Sequence, residues 1–450
     1  MTTLPDPAAY FREVAAAHPR CFWLDGGGAR EWSGRRSLIG WLDDDGVSLT
    51  YDAARREVRR HVGTRSSEVV GDDVFAVLEV ELAAGDPSDQ WFGYFGYACR
   101  PDLPALPDDR LPDAVWMRAS HVRMFEHPAA SATVTEAASR ATDAPGGREP
   151  PAPLVPRSGG ASPSHRPPGA SVSRAAEVPA DYATAFAEVR EQLLAGNSYE
   201  VNLTYRLEAA GGVDPVTAYL RLRELNPAPY AGFLQHDVPG HRAWLLSSSP
   251  ERYALVTADR FLETKPIKGT TPRGATAAED AELRERLATE PRFRAENLMI
   301  VDLLRNDLSM VCEPGTVQVP VLMEVESYET VHQLVSTVRG RLRDDVTTLG
   351  ALRALFPAGS MTGAPKLRTM RIIEDVEATP RGVYAGAFGW IAADGRADLG
   401  VVIRSLMSGG DGGYRLGTGG GLTVHSAAAE EYAESCWKAE RLLRVFEAPG

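Results

Sequence analysis

The sequence predicts an α+β fold in which helices cover β-sheets, and three observations predict it. Short apolar runs broken by glycine turns fill the first 140 residues. Amphipathic helical stretches come in groups instead of alternating one for one with strands. Strand-like runs then return near the end of the chain. In the N-terminal part, CFWLDGGG, FAVLEVEL, WFGYFGYA and AVWMRASHVRMF read as strands of an antiparallel or mixed sheet. Further on, Tyr182, Phe186, Val189, Leu193 and Leu194 share one helical face, and Gly196 supplies the stop. SYEVNLTYRLEA and RAWLLSSSPERYALVT read as strands, as do VYAGAFGWIA, DLGVVIRSLMS and YRLGTGGGLTVH. AEDAELRERLAT, RAENLMIVDLLRND and AAAEEYAESCWKAERLLRVF read as helices. No tandem repeat is evident.

The 450 residues suffice for two or three domains, and 44% hydrophobic with 24% charged residues is the composition of a soluble globular protein. One segment breaks the pattern. Residues 141–178 are dense in Pro, Gly, Ser and Ala, too poor in large apolar groups to offset their ordering entropy, and are expected to be a disordered linker. They separate an N-terminal region, 1–140, from a C-terminal domain, 179–447. The net charge of −13 argues against nucleic acid or an anionic membrane as the main partner. A local basic pocket for a small anion remains compatible with it. Cys21, Cys99, Cys312 and Cys436 are widely spaced, without zinc spacing, which fits a reducing cytoplasm. No signal peptide and no apolar stretch of about 20 residues is found.

Several residue groups could carry chemistry. ETKPIKGTTPRG sets Lys265 and Lys268 in a constrained loop. A loop lysine is ordinarily a solvated charge; as a nucleophile, Lys268 needs its proton affinity lowered by burial or nearby positive charge. In the last helix Glu431, Glu434 and Lys438 fall at i, i+3 and i+7, on one face. That is either an exposed ion-paired stripe or a site for Mg²⁺, which prefers oxygen ligands. Glu296 borders a strongly apolar run: a helix-start acid, or a carboxylate sharing a cation with Glu434. GTGGG, Gly417 to Gly421, lies between strand-like runs as a hairpin turn or an anion cradle. GSMTGAPK leads into a helix, either as a plain capped start or as a carboxylate site at free N–H groups. It lacks P-loop spacing. His332 in YETVHQLVS and Glu251 in SSSPERY, each taken singly, read as structural.

In order along 179–447, SYEVNLTYRL, LNPAPYAGFL, SSSPERY, PIKGTTPRG, RAENLMIVDLLRNDL, HQLVSTVRG, GSMTGAPK, RGVYAGAFGW, VVIRSL, GTGGGLT and EEYAESCWKAERLL together resemble the chorismate-utilising enzymes. That group includes anthranilate synthase component I, aminodeoxychorismate synthase component I, isochorismate synthase and salicylate synthase. WLDGGG and GYFGY resemble the family's first domain more loosely, and WLDGGG differs from the LLES-like tryptophan site of feedback-regulated relatives. The resemblance implies two packed β-sheets with helices on the outer faces. PIKGT, where anthranilate synthases read PIAGT, resembles the aminodeoxychorismate type. Glu200 stands where isochorismate and salicylate synthases carry a water-activating lysine.

The resemblance implies chorismate as substrate and conversion, with ammonia, to 4-amino-4-deoxychorismate. Lys268 would be the nucleophile, Glu251 the acid that assists departure of the C4 hydroxyl, and His332 a neighbour of that leaving group. Glu296 and Glu434, with Glu431 nearby, would hold Mg²⁺ at the ring carboxylate, with Lys438 close to it. Arg404 and Tyr384 would grip the enolpyruvyl carboxylate; Gly419, Gly420 and Thr362 would line the pocket. His425, Ala427 and Phe293 replace acids common in relatives. With no glutaminase motif in the chain, ammonia is expected from a separate glutamine amidotransferase subunit in a heterodimer. The product would feed p-aminobenzoate and folate, or an antibiotic precursor. The alternatives are formation of anthranilate or 2-amino-2-deoxyisochorismate and, more distantly, a non-catalytic sensing subunit.

Overall fold

The computed structural model describes residues 6–26, 36–127, 178–210, 212–328 and 331–447, so the segment expected to be a linker lies outside the described residues except for Val178. Two antiparallel sheets pack face to face. The first runs, strand by strand, Gly363–Ala364, Glu200–Ala210, Gly413–Leu422, Ser405–Ser408, Ala243–Ser249, Tyr230–His236, Arg20–Asp25, Arg36–Trp41 and His121–Glu126. The second runs Ile267–Pro272, Val331–Arg341, Phe261–Lys265, Arg252–Val256, Ala397–Val401, Ala387–Ala392, Gln90–Phe95, Ala114–Arg118, Val47–Asp52, Glu57–Val62 and Ser66–Gly71. Gln318–Ser327 pairs with Val331–Arg341 off this path. Between the sheets lies the largest core, where Phe22 of the first stacks on Phe92 of the second at a ring separation of 3.8 Å.

Residues on the two sides of the undescribed segment build both sheets jointly. Arg20–Asp25 pairs with Tyr230–His236, Trp23 opposite Phe233, and Gln90–Phe95 pairs with Ala387–Ala392. Helices Pro7–Ala17, Pro215–Leu225 and Ala428–Leu443 bury Phe11, Tyr219 and Ala439 against the outer face of the first sheet. Helices Ala180–Leu194 and Lys366–Val376 cover its edge through Phe186, Val189 and Ile373. The α+β arrangement of packed sheets under outer helices is the one expected from sequence. FAVLEVEL differs: it lies in helix Val74–Ala84, not in a strand. Asp73 caps that helix by accepting from the Phe75 and Ala76 amides, and Val74, Phe75 and Leu78 are its buried face. No helix among the described residues is long and apolar enough to cross a membrane.

One buried ion network ties the sheet edge to the turns beside it. Glu377 accepts from Arg381 at 2.7 and 3.0 Å, from Arg206 at 2.9 Å, and from the amide and hydroxyl of Thr204 at 2.8 Å each. Arg381 also donates to the Met361 and Asn202 carbonyls. Burial alone would raise the Glu377 carboxyl, but Arg381 and then Arg206 outweigh it and hold it below its ordinary value. A depressed folded value means the stabilisation is complete above the ordinary carboxylate range and is lost as pH falls through the folded value. Glu377→Ala leaves two buried guanidiniums uncompensated and is expected to cost about 3–5 kcal/mol, read as a lower urea midpoint with unchanged slope.

Candidate active site

The chain crosses from one sheet to the other at Pro250–Glu251, between Ala243–Ser249 and Arg252–Val256, and again at Arg404, between Ala397–Val401 and Ser405–Ser408. A cavity of about 190 Å³ opens at these crossings. Gly417–Gly421 form one wall, helices Pro291–Ser309 and Ala428–Leu443 the acidic side, and Ile267–Thr270 another side. Of the residues expected from sequence, Glu251, Lys268, Glu296, Tyr384, Arg404, Gly419, Gly420, Glu431, Glu434 and Lys438 all line it.

Two expected residues do not line it. His332 is buried on strand Val331–Arg341, bonded to Asp280 at 3.0 Å and to Ser327 at 2.7 Å. Successive strand residues face opposite sides, so Gln333 takes the cavity face instead. Thr362 turns its hydroxyl to the Ala358 and Gly359 carbonyls of its own turn. GSMTGAPK likewise offers no free cation: Lys366 is bonded to Asp307 and to the Leu355 carbonyl, both at 2.7 Å.

Local geometry explains the glycines. GTGGG is not a hairpin turn but the interior of strand Gly413–Leu422. A Cβ at Gly419 would overlap the Leu203 carbonyl of the paired strand, and one at Gly420 would reach 3.5 Å from Glu431 and 3.6 Å from Lys438. A side chain at Gly419 would therefore push the paired strand away, and one at Gly420 would enter the cavity. PIKGT is part of strand Ile267–Pro272, not a loop; Gly269, at φ +96°, lets the backbone pass Phe293 and present Lys268.

The cavity divides its charges. Glu251 is buried and receives a hydrogen bond from Ser360; desolvation pushes its carboxyl up to about 7. Lys268 is ion-paired with Glu200. Burial pulls the Lys268 ammonium down, but Glu200, then Glu296 and Glu251, outweigh it and hold it above the ordinary lysine value. That is the reverse of the lowering expected from sequence. Desolvation lowers Arg404 to about 10. Its guanidinium stands 5.7 Å from the Trp437 ring, with no acid in ion-pair range among the described residues. The Tyr384 ring is backed by Arg206 at 4.9 Å.

On the acidic side, desolvation raises Glu296 and Glu431, while Lys438, 2.8 Å away, holds the half-exposed Glu434 below its ordinary value. Arg292, not singled out from sequence, donates to Glu296 at 3.1 Å and to Glu431 at 2.7 Å, bridging the two helices. Its i,i+4 spacing to Glu296 was the available signal. Among the described residues, no three potential ligands are grouped closely enough to hold a metal as they stand. The donor set nonetheless suits Mg²⁺: carboxylate oxygens only, on two facing helices, with a cation already between two of them.

Sheets packed in this way, with an acid-lined and base-lined cavity at their crossings, define the chorismate-binding class of fold. Anthranilate synthase component I from Streptococcus pneumoniae superposes with a TM-score of 0.69 at 25% identity, over 91% of this chain and 92% of that one. The menaquinone-specific isochorismate synthase from Escherichia coli, at 17% identity and a TM-score of 0.66 over 99% and 92%, shares the fold. Residues 20–444 match the chorismate binding enzyme family, and the chain belongs to it. Aminodeoxychorismate synthase from Streptomyces pristinaespiralis is 41% identical over 98% of this chain and 64% of its own length. Aminodeoxychorismate synthase component 1 from Escherichia coli is 40% identical over 59% and 57%. The chain thus spans less than two thirds of the length of these curated relatives.

Proposed function

We propose that this chain converts chorismate and ammonia to 4-amino-4-deoxychorismate, with Mg²⁺, as the large subunit of an aminodeoxychorismate synthase. One observation carries the reading: an amine, Lys268, and a carboxyl near neutrality, Glu251, share a cavity with Arg404, a cation that has no acid partner among the described residues. The similarity to relatives named aminodeoxychorismate synthase supports the same choice.

Chorismate is a dianion whose allylic hydroxyl leaves poorly. Arg404 and Tyr384 bind one carboxylate; Lys438 stands near the other. Lys268 attacks C2, electrons move through the conjugated ring, and the C4–O bond breaks as Glu251 protonates the departing hydroxyl, which leaves as water. Ammonia then adds at C4 and the lysine leaves from C2, while Glu251 takes back a proton from the new ammonium nitrogen. Two easier displacements replace one hard one. Glu296 and Glu434, with Glu431 beside them, would hold Mg²⁺, which supplies charge neutralisation at the ring carboxylate when bound. Ammonia would come from a glutamine amidotransferase partner, and the protein would work in the cytoplasm.

Incubation with chorismate, Mg²⁺ and ammonium tests the reading. A non-fluorescent product that yields p-aminobenzoate only after a lyase is added supports it; fluorescent anthranilate formed without lyase overturns it. Chelation with EDTA is expected to abolish turnover and excess Mg²⁺ to restore it. Glu434→Ala is expected to raise the Mg²⁺ needed for half-activity by at least about 10–100-fold, the range seen even for outer-shell partners of a metal.

A further inference from the structure

One carboxylate beside the cavity has no part in the steps above. Glu200 begins strand Glu200–Ala210, and its side chain is only 2% exposed. Its Oε1 accepts from Lys268 Nζ, while its Oε2 has no hydrogen-bond partner among the described residues. Lys268 lines the cavity and Glu200 does not. The carboxylate therefore stands behind the amine, out of reach of a substrate. Gly421 makes its room: a Cβ there would overlap Glu200 Oε1 and stand 2.9 Å from Lys268 Nζ.

A protonated lysine has no lone pair with which to attack, so its proton needs an acceptor. Charged groups reach the amine's cavity from four elements: Glu296 and Arg292 from helix Pro291–Ser309, Glu251 from the crossing before Arg252–Val256, Arg404 from the second crossing, and Glu431, Glu434 and Lys438 from helix Ala428–Leu443. Gly417–Gly421 and the turn 359–364 present none. Glu251 must stay protonated to act as an acid, and Glu296 is bonded to Arg292. Among the described residues, Glu200 alone touches the amine.

Resting on the reading that Lys268 attacks C2, we propose that Glu200 is a positioning residue that takes the proton from Lys268 and later returns it. An N–H bond of the ammonium breaks, Glu200 gains an O–H bond, and the freed lone pair forms the C2–N bond. When ammonia adds at C4, the C2–N pair returns to nitrogen and the lysine departs as a free amine. Glu200 gives its proton back and the ion pair re-forms. The pair neither gains nor loses a proton over the cycle. A charged acceptor held in contact suits that exchange better than solvent, which the wall excludes.

The test omits ammonium. The full chain with chorismate and Mg²⁺ is quenched at intervals, and the Lys268 peptide carrying chorismate minus water is quantified by mass spectrometry between about pH 6 and 9. The natural chain is expected to form this adduct at a rate whose pH dependence follows Glu251 alone, level below about pH 7 and falling above it, because the lysine proton moves within the pair. Glu200→Gln is expected to be about 10²-fold slower at pH 7, and its rate relative to the natural chain is expected to rise about tenfold per pH unit as the amine loses its proton to solvent. Glu200→Asp, which keeps the acceptor, is expected to recover at least tenfold and the pH profile of the natural chain; it decides the matter if the glutamine variant does not fold. Adduct formed by Glu200→Gln at the natural rate and pH dependence, or by both variants equally slowly, overturns the role of Glu200 alone. No adduct on Lys268 in the natural chain overturns the nucleophile reading itself.

Discussion

Lys268→Ala is expected to lower kcat for chorismate amination by about 10³-fold or more, the order found when a covalent nucleophile is removed and binding survives. The expectation follows from where the residue sits. Its side chain is presented by strand Ile267–Pro272 into the cavity beside the wall Gly417–Gly421, whereas the other amine there, Lys438, is ion-paired with Glu434 on helix Ala428–Leu443. Chorismate affinity, by contrast, should change little, since the cations expected to grip its carboxylates, Arg404 and Lys438, are on other elements. A large drop in kcat with near-constant binding, measured by calorimetry, marks the loss of an interaction made in the transition state. A drop in affinity of the same size would make Lys268 a binding group instead.

Glu251→Gln carries the second large effect, about 10²–10⁴-fold in kcat, the usual worth of a general acid. The variant keeps the shape and the contact with Ser360 but has no proton to give. Burial is the main cause that raises Glu251 to about 7, with Ser360 and the charge of Lys268 pulling the other way. The acid form is therefore the major one below neutrality. The natural chain should lose kcat as pH rises through about 7, and the glutamine variant should lack that alkaline limb. An unchanged limb in the variant would assign the titration to another group.

Parts of the site were legible because helical periodicity is short-range. Glu431, Glu434 and Lys438 share a face in sequence and in space, and Glu296 borders an apolar run of which Ile300, Val301 and Leu304 are buried. Long-range register was not legible. No local pattern says that Trp23 lies opposite Phe233, or that Gly417, Gly419, Gly420 and Gly421 lie within one strand that walls a cavity. FAVLEVEL mixes apolar and acidic residues in a way that fits either period, and only the Asp73 cap and the burial of Val74, Phe75 and Leu78 distinguish the helix. His332 and Thr362 were carried over by resemblance; strand alternation and a local turn bond turn them away from the cavity. The ion pair between Lys268 and Glu200 joins residues far apart in the chain. The requirement read from sequence, that burial or nearby positive charge lower the proton affinity of a nucleophilic Lys268, had no access to it.

The most direct test is a crystal structure of the chain soaked with Mg²⁺ and chorismate in the absence of ammonium. The expected result has carboxylate oxygens of Glu296 and Glu434 at about 2.0–2.1 Å from one ion, and the Lys268 nitrogen bonded to C2 or within about 3–3.5 Å of it. A ring bound with its second carbon away from that nitrogen, or an ion held without these two glutamates, would contradict it.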